Sequence, residues 1–326
     1  MRKILSAAAL IIATLAAGFA QAQPAADDKW PMRPIRFIVP FTAGSSSDIV
    51  ARIVGQKLGE RLGQSIVVDN RVGASGNIGT EAVARAEPDG YTIGLANTST
   101  HAVASSLAAS LPYDPVKDFV PVAMIGASPF VMAVYPGVPA KSVQELIALA
   151  KTKPKTLSYA SAGPASLAHL SGALFEKMAG LELIHVPYRG SAQSVLDLVE
   201  GRVQIQFGTL APTLPLIRDG KVRALAITGA KRNATLPDVP TVAESGLPGY
   251  ESSLWAAIVV PTGTPPAIVA RLNREVVALL SDPEMVGSLG KQGLDTDPGT
   301  PEALAARIRT DVEKWRDIIQ KAGIRR

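Results

Sequence analysis

The chain has 326 residues, no cysteine, 47% apolar residues and a formal charge of +5. Without cysteine there is no disulfide framework, thiolate nucleophile or cysteine-based metal site, so the fold relies on core burial, which a chain of this length supports. The charge is mild and no dense Lys/Arg cluster with interleaved aromatics occurs, which argues against nucleic-acid binding.

Arg2 and Lys3 precede an apolar run from Ile4 to Phe19 that ends in Ala20-Gln21-Ala22. A charged start, a short apolar stretch and an A-x-A site predict a secretory signal peptide over 1–22, cleaved after Ala22. The run is shorter than the ~18–20 residues a membrane span needs and is broken by Ser6 and Thr14. Removing it lowers the formal charge to +3. The expected compartment is the bacterial periplasm.

Beyond the leader, short β-branched runs alternate with longer amphipathic ones, the signature of βαβ units and a mostly parallel sheet. The reading in chain order is a strand at Ile35–Val39, a helix at Ser46–Leu62, a strand at Ile66–Val68, a helix at Gly76–Ala86 and a strand at Thr92–Ala96. A close pair of strands is expected at Val120–Ile125 and Val131–Val134. Ser142 and Glu145 form a capping box ahead of the next helix. Strands at Leu157–Tyr159, Ile184–Val186, Val203–Phe207 and Arg223–Thr228 alternate with helices, and a last strand lies near Ala256–Val260. Three final helices open at Thr264-Pro265-Pro266, Ser281-Asp282-Pro283-Glu284 and Thr300-Pro301-Glu302, each with a cap followed by proline. In the third, Leu304, Ile308, Val312, Trp315 and Ile319 recur at helical spacing and predict a core-facing stripe.

Two Gly/Ser-rich strand-to-helix turns stand far apart, Pro40 to Asp48 and Ser161 to His169. Ligands of open parallel sheets bind at the carboxyl ends of strands, where such turns lie, so two turns in two facing lobes would form a cleft. Small residues allow close backbone approach, and the following helix offers free N–H groups and a positive dipole end. Ser45 and Ser166 are the expected caps. His169 falls in the first helical turn, where it serves either a ligand oxygen or a nearby backbone carbonyl. A third turn, His185 to Ser191, offers Tyr188 as a pocket wall and the Gly190 region as a donor surface. Apart from Arg189 these turns contain no Lys or Arg, so neutral donors are expected to carry recognition.

The run Asn70 to Gly79 places glycines at intervals of three and is not a dinucleotide fingerprint, and no Walker A loop, H-E-x-x-H or G-x-S-x-G motif is present. His101, His169 and His185 each lack a sequence-near second ligand, so no metal, cofactor or catalytic residue is expected. Asp48 and Asp69 suit caps and turns better than an acid/base pair.

Along nearly the whole mature chain, ordered motifs resemble one family: the periplasmic substrate-binding proteins of tripartite tricarboxylate transporters, the Bug proteins. They are Ile38-Val39-Pro40-Phe41 with Gly44 and Asp48; Val68-Asp69-Asn70-Arg71 with Gly73 and Gly76-Asn77-Ile78-Gly79; and Pro88-Asp89-Gly90-Tyr91-Thr92. Tyr113-Asp114-Pro115, Tyr159-Ala160-Ser161-Ala162-Gly163, His185-Val186-Pro187-Tyr188 and Leu236-Pro237-Asp238-Val239-Pro240-Thr241 continue the series. The resemblance implies an α/β, two-lobed Venus-flytrap fold with a ligand cleft between the lobes. Lobe 1 would comprise 29–127 plus 256–326 and lobe 2 residues 128–255.

It also implies a non-catalytic protein gripping a small organic carboxylate. Phe41, Thr42, Ala43, Gly44, Ser45, Ser46, Asn97, Thr98 and Ser99 would serve from lobe 1. Ser161, Gly163, Ser166, His169, Tyr188, Gly190, Gly208 and Thr209 would serve from lobe 2. The implied partners are integral membrane permease subunits, with the chain itself a monomer; a sensor kinase is the alternative, and a periplasmic serine hydrolase using His169 or His185 a remote one. Two departures bear on the ligand. Gly44-Ser45-Ser46 stands where relatives carry consecutive glycines, and Gly208-Thr209 where they carry an aspartate. Losing that acid argues against an amino group on the ligand and favours a carboxylate without one.

Overall fold

The computed structural model describes residues 30–108, 110–188 and 191–324, so the expected leader lies outside the described residues. In chain order the first half contains β1 (Ile35–Val39), α1 (Ser46–Leu62), β2 (Ile66–Asn70), α2 (Asn77–Ala84), β3 (Thr92–Asn97), α3 (Ala104–Leu107) and β4 (Phe119–Val134). Then follow α4 (Val143–Thr152), β5 (Ser158–Ser161), α5 (Leu167–Ala179), β6 (Ile184–Pro187), α6 (Ser191–Val199), β7 (Ile205–Thr209), α7 (Leu210–Arg218) and β8 (Arg223–Ile227). The last elements are β9 (Ser253–Pro261), α8 (Pro266–Leu280), α9 (Pro283–Gly290), β10 (Asp295–Thr296) and α10 (Pro301–Lys321).

The strands sort into two sheets sharing β4. In the first, β2, β1 and β3 run parallel, β9 lies antiparallel to β3, and β4 pairs β9 with β10 on its other edge. In the second, β6, β5 and β7 run parallel, while β7 and β8 flank β4 antiparallel. The change of partner is sharp: Pro129 of β4 faces Ser253 of β9, and the next residue, Phe130, faces Thr209 of β7. Thr228 seals this junction, its hydroxyl close to Phe130 O (3.1 Å) and Ser252 O (2.6 Å), while its backbone oxygen accepts from Ser252 N at 2.8 Å. The result is a two-lobed α/β fold with β4 passing from one lobe to the other.

Here the sequence reading needs one correction. Gly126-Ala127-Ser128-Pro129 reads as a break between two strands, yet β4 is a single 16-residue strand. The small residues and proline mark the change of partner. A Cβ on Gly126 would lie 2.4 Å from Asp295 O, so only glycine lets β10 pair here. The short β10 was not anticipated from the sequence.

Burial pins the remaining elements. Phe37, Val54, Leu58, Ile93, Ile258 and Leu272 pack one core between α1, α8 and the first sheet. Tyr159, Phe175, Phe207, Tyr250, Trp255 and Trp315 belong to a second, which the α10 stripe joins: Leu304, Ile308, Val312, Trp315 and Ile319 are all buried. Within it Asp311, buried on α10, accepts from Trp255 Nε1 at 2.8 Å and pairs with Arg307 and Lys314. Burial alone disfavours its charge, but the two cations overcome that and hold its carboxyl below the usual range.

Ser45, Ser142, Ser166, Asp282 and Thr300 cap their helices through side-chain oxygens. Of the three helices opened by proline, α8 is the exception: Pro265 occupies the cap position without a side-chain bond, and Thr264 Oγ1 donates instead to Pro261 O at 2.8 Å.

Candidate functional site

The first turn is held from beneath by a buried carboxylate. Asp48 Oδ2 accepts from Gly44 N at 2.8 Å and from Arg52 Nε at 3.0 Å, while Oδ1 accepts from Asn70 Nδ2 at 2.9 Å. Asn70 Nδ2 also lies 3.0 Å from Phe41 O and bridges the turn to β2. Burial opposes ionisation of Asp48, but the bonds from Arg52, Gly44 and Asn70 win and keep its pKa lowered. Asp48 is thus a turn-former, as its sequence context suggests. Gly44, at φ 78°, supplies the left-handed step that brings its N–H onto the carboxylate. Thr42, Ala43, Gly44 and Ser46 are exposed, and Phe41 and Ser45 are half-buried. The backbone amides of Ser46 and Ser47, first in α1, have no intrahelical acceptor.

The second turn repeats the design with different chemistry. Ser166 Oγ donates to Gly163 O at 2.7 Å and accepts from His169 N at 3.3 Å. Ser161 Oγ lies 3.1 Å from both Gly163 N and Gly163 O, and 2.7 Å from His185 Nε2. The two imidazoles stack, 3.7 Å between centroids and 4° from parallel. His169 Nδ1 accepts the Ala165 N–H at 3.1 Å, so a neutral His169 carries its proton on Nε2. The ring therefore holds a backbone amide rather than the carbonyl considered from sequence. Burial, with the neighbouring His185, pushes the His169 pKa down to about 4, and burial lowers that of His185 as well. The stack is neutral at pH 7.

Ser161 and His185 have the separation of a nucleophile and base, but Ser161 is buried and its hydroxyl is engaged by both backbone atoms of Gly163. Among the described residues no carboxylate is bonded to either imidazole to orient it as a base. Tyr188 is half-buried and donates its hydroxyl to Asp197 Oδ2 at 2.7 Å. Burial and that carboxylate raise its pKa to about 12, so it walls the turn as a neutral phenol. Arg189 and Gly190 lie outside the described residues.

Between the lobes lies a cavity of about 230 Å³. Pro164, Ala165 and Ser166 of the second turn line one side, facing Ser75, Asn77 and Ser99. The segment Val103 to Ala108 completes the wall. No lining side chain carries a charge. Of the residues expected from sequence, Ser99 and Ser166 line this cavity directly. Phe41 does not line it but packs beside Gly76, where a Cβ would lie 3.4 Å from the Phe41 ring and 2.8 Å from Thr100.

The other expected residues that the structure describes do not line the cavity. Thr98 is buried, its hydroxyl accepting from Trp255 N at 2.9 Å and donating to Ser253 O at 3.1 Å. Asn97 Oδ1 accepts from Thr100 N at 3.0 Å. Gly208 is buried at the end of β7, and a Cβ there would meet the Gln206 carboxamide and Thr213 hydroxyl at 3.2 Å. Thr209 is half-buried at the cap of α7, without a side-chain cap bond. Gln206 and Thr213 therefore leave little room for a side chain at position 208.

Sequence reasoning missed Ser75, Asn77 and the Val103–Ala108 wall. One signal was available for the first two, since they stand among the closely spaced glycines of the 70–79 run. Asn77 is almost fully buried, and Tyr113 Oη lies 3.1 Å from its Oδ1. Ser75 and Ala165, on opposite walls, both have left-handed backbones without being glycine, at φ 59° and 61°. Such conformations carry strain and cluster at functional sites.

Two lobes joined by the continuous strand β4, with an uncharged cavity between helix-opening turns, define the class of two-lobed solute-binding proteins. Comparison with known proteins places the chain within it: residues 50–324 match the tripartite tricarboxylate transporter family receptor, TctC, and the chain belongs to that family. It is 38% identical to Protein BugT of Bordetella pertussis over 324 residues, covering 99% of this chain and 98% of BugT. A Rhodopseudomonas palustris protein solved with adipate is 38% identical, with TM-score 0.72, over 91% of this chain and 99% of that one. A TctC solute-binding protein from Polaromonas, solved without ligand, is 28% identical with TM-score 0.82 over 90% and 99%. The family is one of transporter receptors rather than enzymes, and periplasmic. Among the described residues no helix is long and apolar enough to cross a membrane.

Proposed function

We propose that this protein captures a small organic carboxylate between its lobes and delivers it to the membrane permease subunits of a tripartite transporter, without chemical conversion. The observation that carries this reading is the uncharged interlobe cavity, built where the second turn meets the 75–77 and 99–108 segments. Neutral donors suit a carboxylate that must be released again. Hydrogen bonds to a charged group contribute roughly 1.5–3 kcal/mol each, so a few neutral donors hold a carboxylate without a salt bridge. The adipate found in the 38%-identical relative supports a carboxylate ligand.

On this reading Phe41, Thr42, Ala43, Gly44, Ser45, Ser46, Asn97, Thr98 and Ser99 form the lobe 1 side of the site. Ser161, Gly163, Ser166, His169, Tyr188, Gly190, Gly208 and Thr209 form the lobe 2 side, the buried members shaping it and the exposed turns making contact. Lobe 1 is residues 29–127 plus 256–326 and lobe 2 is 128–255, the boundaries falling beside the partner change at Pro129 and Ser253. The leader 1–22 directs export to the periplasm.

Similarity scores support hinge closure. The unliganded relative superposes better than the adipate-bound one despite lower sequence identity, which is the pattern expected of a conformation with its lobes apart. A ligand touching both lobes then favours the closed state by its differential affinity. The test is a thermal-shift screen of organic carboxylates, since a ligand specific for the native state raises the melting temperature by mass action. A carboxylate that stabilises the protein and is recovered unchanged supports the reading; a screen without any stabilising carboxylate overturns it.

A further inference from the structure

The wall of the cavity is chemically two-sided. Ser75, Asn77 and Ser99 bring amide and hydroxyl groups to the lining and Ser166 faces them, whereas Val103, Ala104, Leu107 and Ala108 contribute only aliphatic surface. The lining between them adds Pro164 and Ala165, again without a charge or side-chain donor. From this asymmetry we propose that the preferred ligand is a monocarboxylate with an apolar body, the carboxylate held among Ser75, Asn77 and Ser99 and the body laid against Val103, Leu107 and Ala108. The proposal rests on the carboxylate-binding reading above and narrows its substrate class.

The physical reason is the asymmetry of desolvation. An aliphatic or aromatic body gains by leaving water for the Val103–Ala108 wall. A second carboxylate placed there gives up its hydration without a donor to replace it, which is costly for an ion.

The geometry also makes Leu107 the residue that sets this choice. It lines the cavity and is half-buried near the carboxyl end of its short helix, where a longer cationic side chain has both solvent and cavity within reach. Placing a guanidinium there supplies the missing partner for a second carboxylate.

The experiment compares hexanoate with adipate, which share a six-carbon length and differ in the second carboxylate, and adds benzoate and citrate, by titration calorimetry on the full protein. Hexanoate or benzoate is expected to bind at least tenfold tighter than adipate or citrate. In the Leu107→Arg variant the hexanoate-to-adipate preference is expected to shrink or invert. Binding of adipate as tight as hexanoate by the unaltered protein overturns the monocarboxylate proposal while leaving carboxylate capture in place. Failure of all four acids to bind overturns both. The ratio on the unaltered protein stands whether or not the variant folds.

Discussion

Replacing Asp48 by asparagine removes a single charge from beneath the first turn, and the consequence can be worked out. The carboxylate accepts three bonds: Gly44 N at 2.8 Å, Asn70 Nδ2 at 2.9 Å and Arg52 Nε at 3.0 Å. Hydrogen bonds to charged groups contribute roughly 1.5–3 kcal/mol each, but the Arg52 side chain is 53% exposed, so water and salt reduce its share to about 1 kcal/mol or less. The other two, taken at the low end of that range, then carry about 3 kcal/mol. Asparagine retains one acceptor and turns the other into a donor facing Gly44 N and Arg52 Nε or, flipped, Asn70 Nδ2, so a loss of about 2–3 kcal/mol is expected at pH 7. The pKa of Asp48 is lowered in the fold, so its contribution is present above the unfolded value near 3.8 and is lost as pH falls through the folded value. Urea unfolding at pH 7 should separate the two proteins by that amount, and the gap should narrow in acid below about pH 3.8. A variant within 0.5 kcal/mol of the parent at pH 7, or a gap unchanged in acid, would show that the turn is not held this way.

Three further outcomes are expected. Burial lowers the pKa of His101 from 6.5 to about 3, so its contribution to stability is complete above pH 6.5 and is lost as pH falls toward 3; His101→Phe should therefore show a smaller drop in urea midpoint between pH 7.5 and 4.5, and equal drops would refute this. Ser166→Ala removes the α5 cap and the bond to Gly163 O, so chemical denaturation should register a loss of about 1 kcal/mol, and carboxylate affinity should fall about tenfold as the turn loosens. Solution scattering should show a smaller radius of gyration with saturating carboxylate than without, and superimposable curves would argue against closure.

Much of this architecture was legible because its signals are local. Ser142 and Glu145, Asp282 before Pro283, and Thr300 before Pro301 mark helix starts by chemistry confined to four residues, and their cap bonds form as expected. The α10 stripe was legible because its period of three and four is a property of one helix. What was not legible depends on distant segments. Gly126 and Pro129 look like a strand break until β10 and the change of partner are seen.

The first turn reads in the sequence as a small-residue, amide-rich loop, but the side chain that braces it, Asn70, lies 22 positions beyond Asp48. Likewise, each histidine appears isolated in the chain, and only the parallel pairing of β5 with β6 brings His185 beside Ser161 and His169. The cavity wall from Val103 to Ala108 carries no motif. Its role follows from which segment the opposite lobe faces, and no local pattern encodes that.

The central claim is stoichiometric capture of a carboxylate without turnover, and titration calorimetry tests both halves in one trace. The account predicts a saturating isotherm with one carboxylate per chain at micromolar or tighter affinity, each injection returning to baseline. Sustained heat flow after each injection, marking conversion of the acid, or no heat with any small organic carboxylate would contradict it.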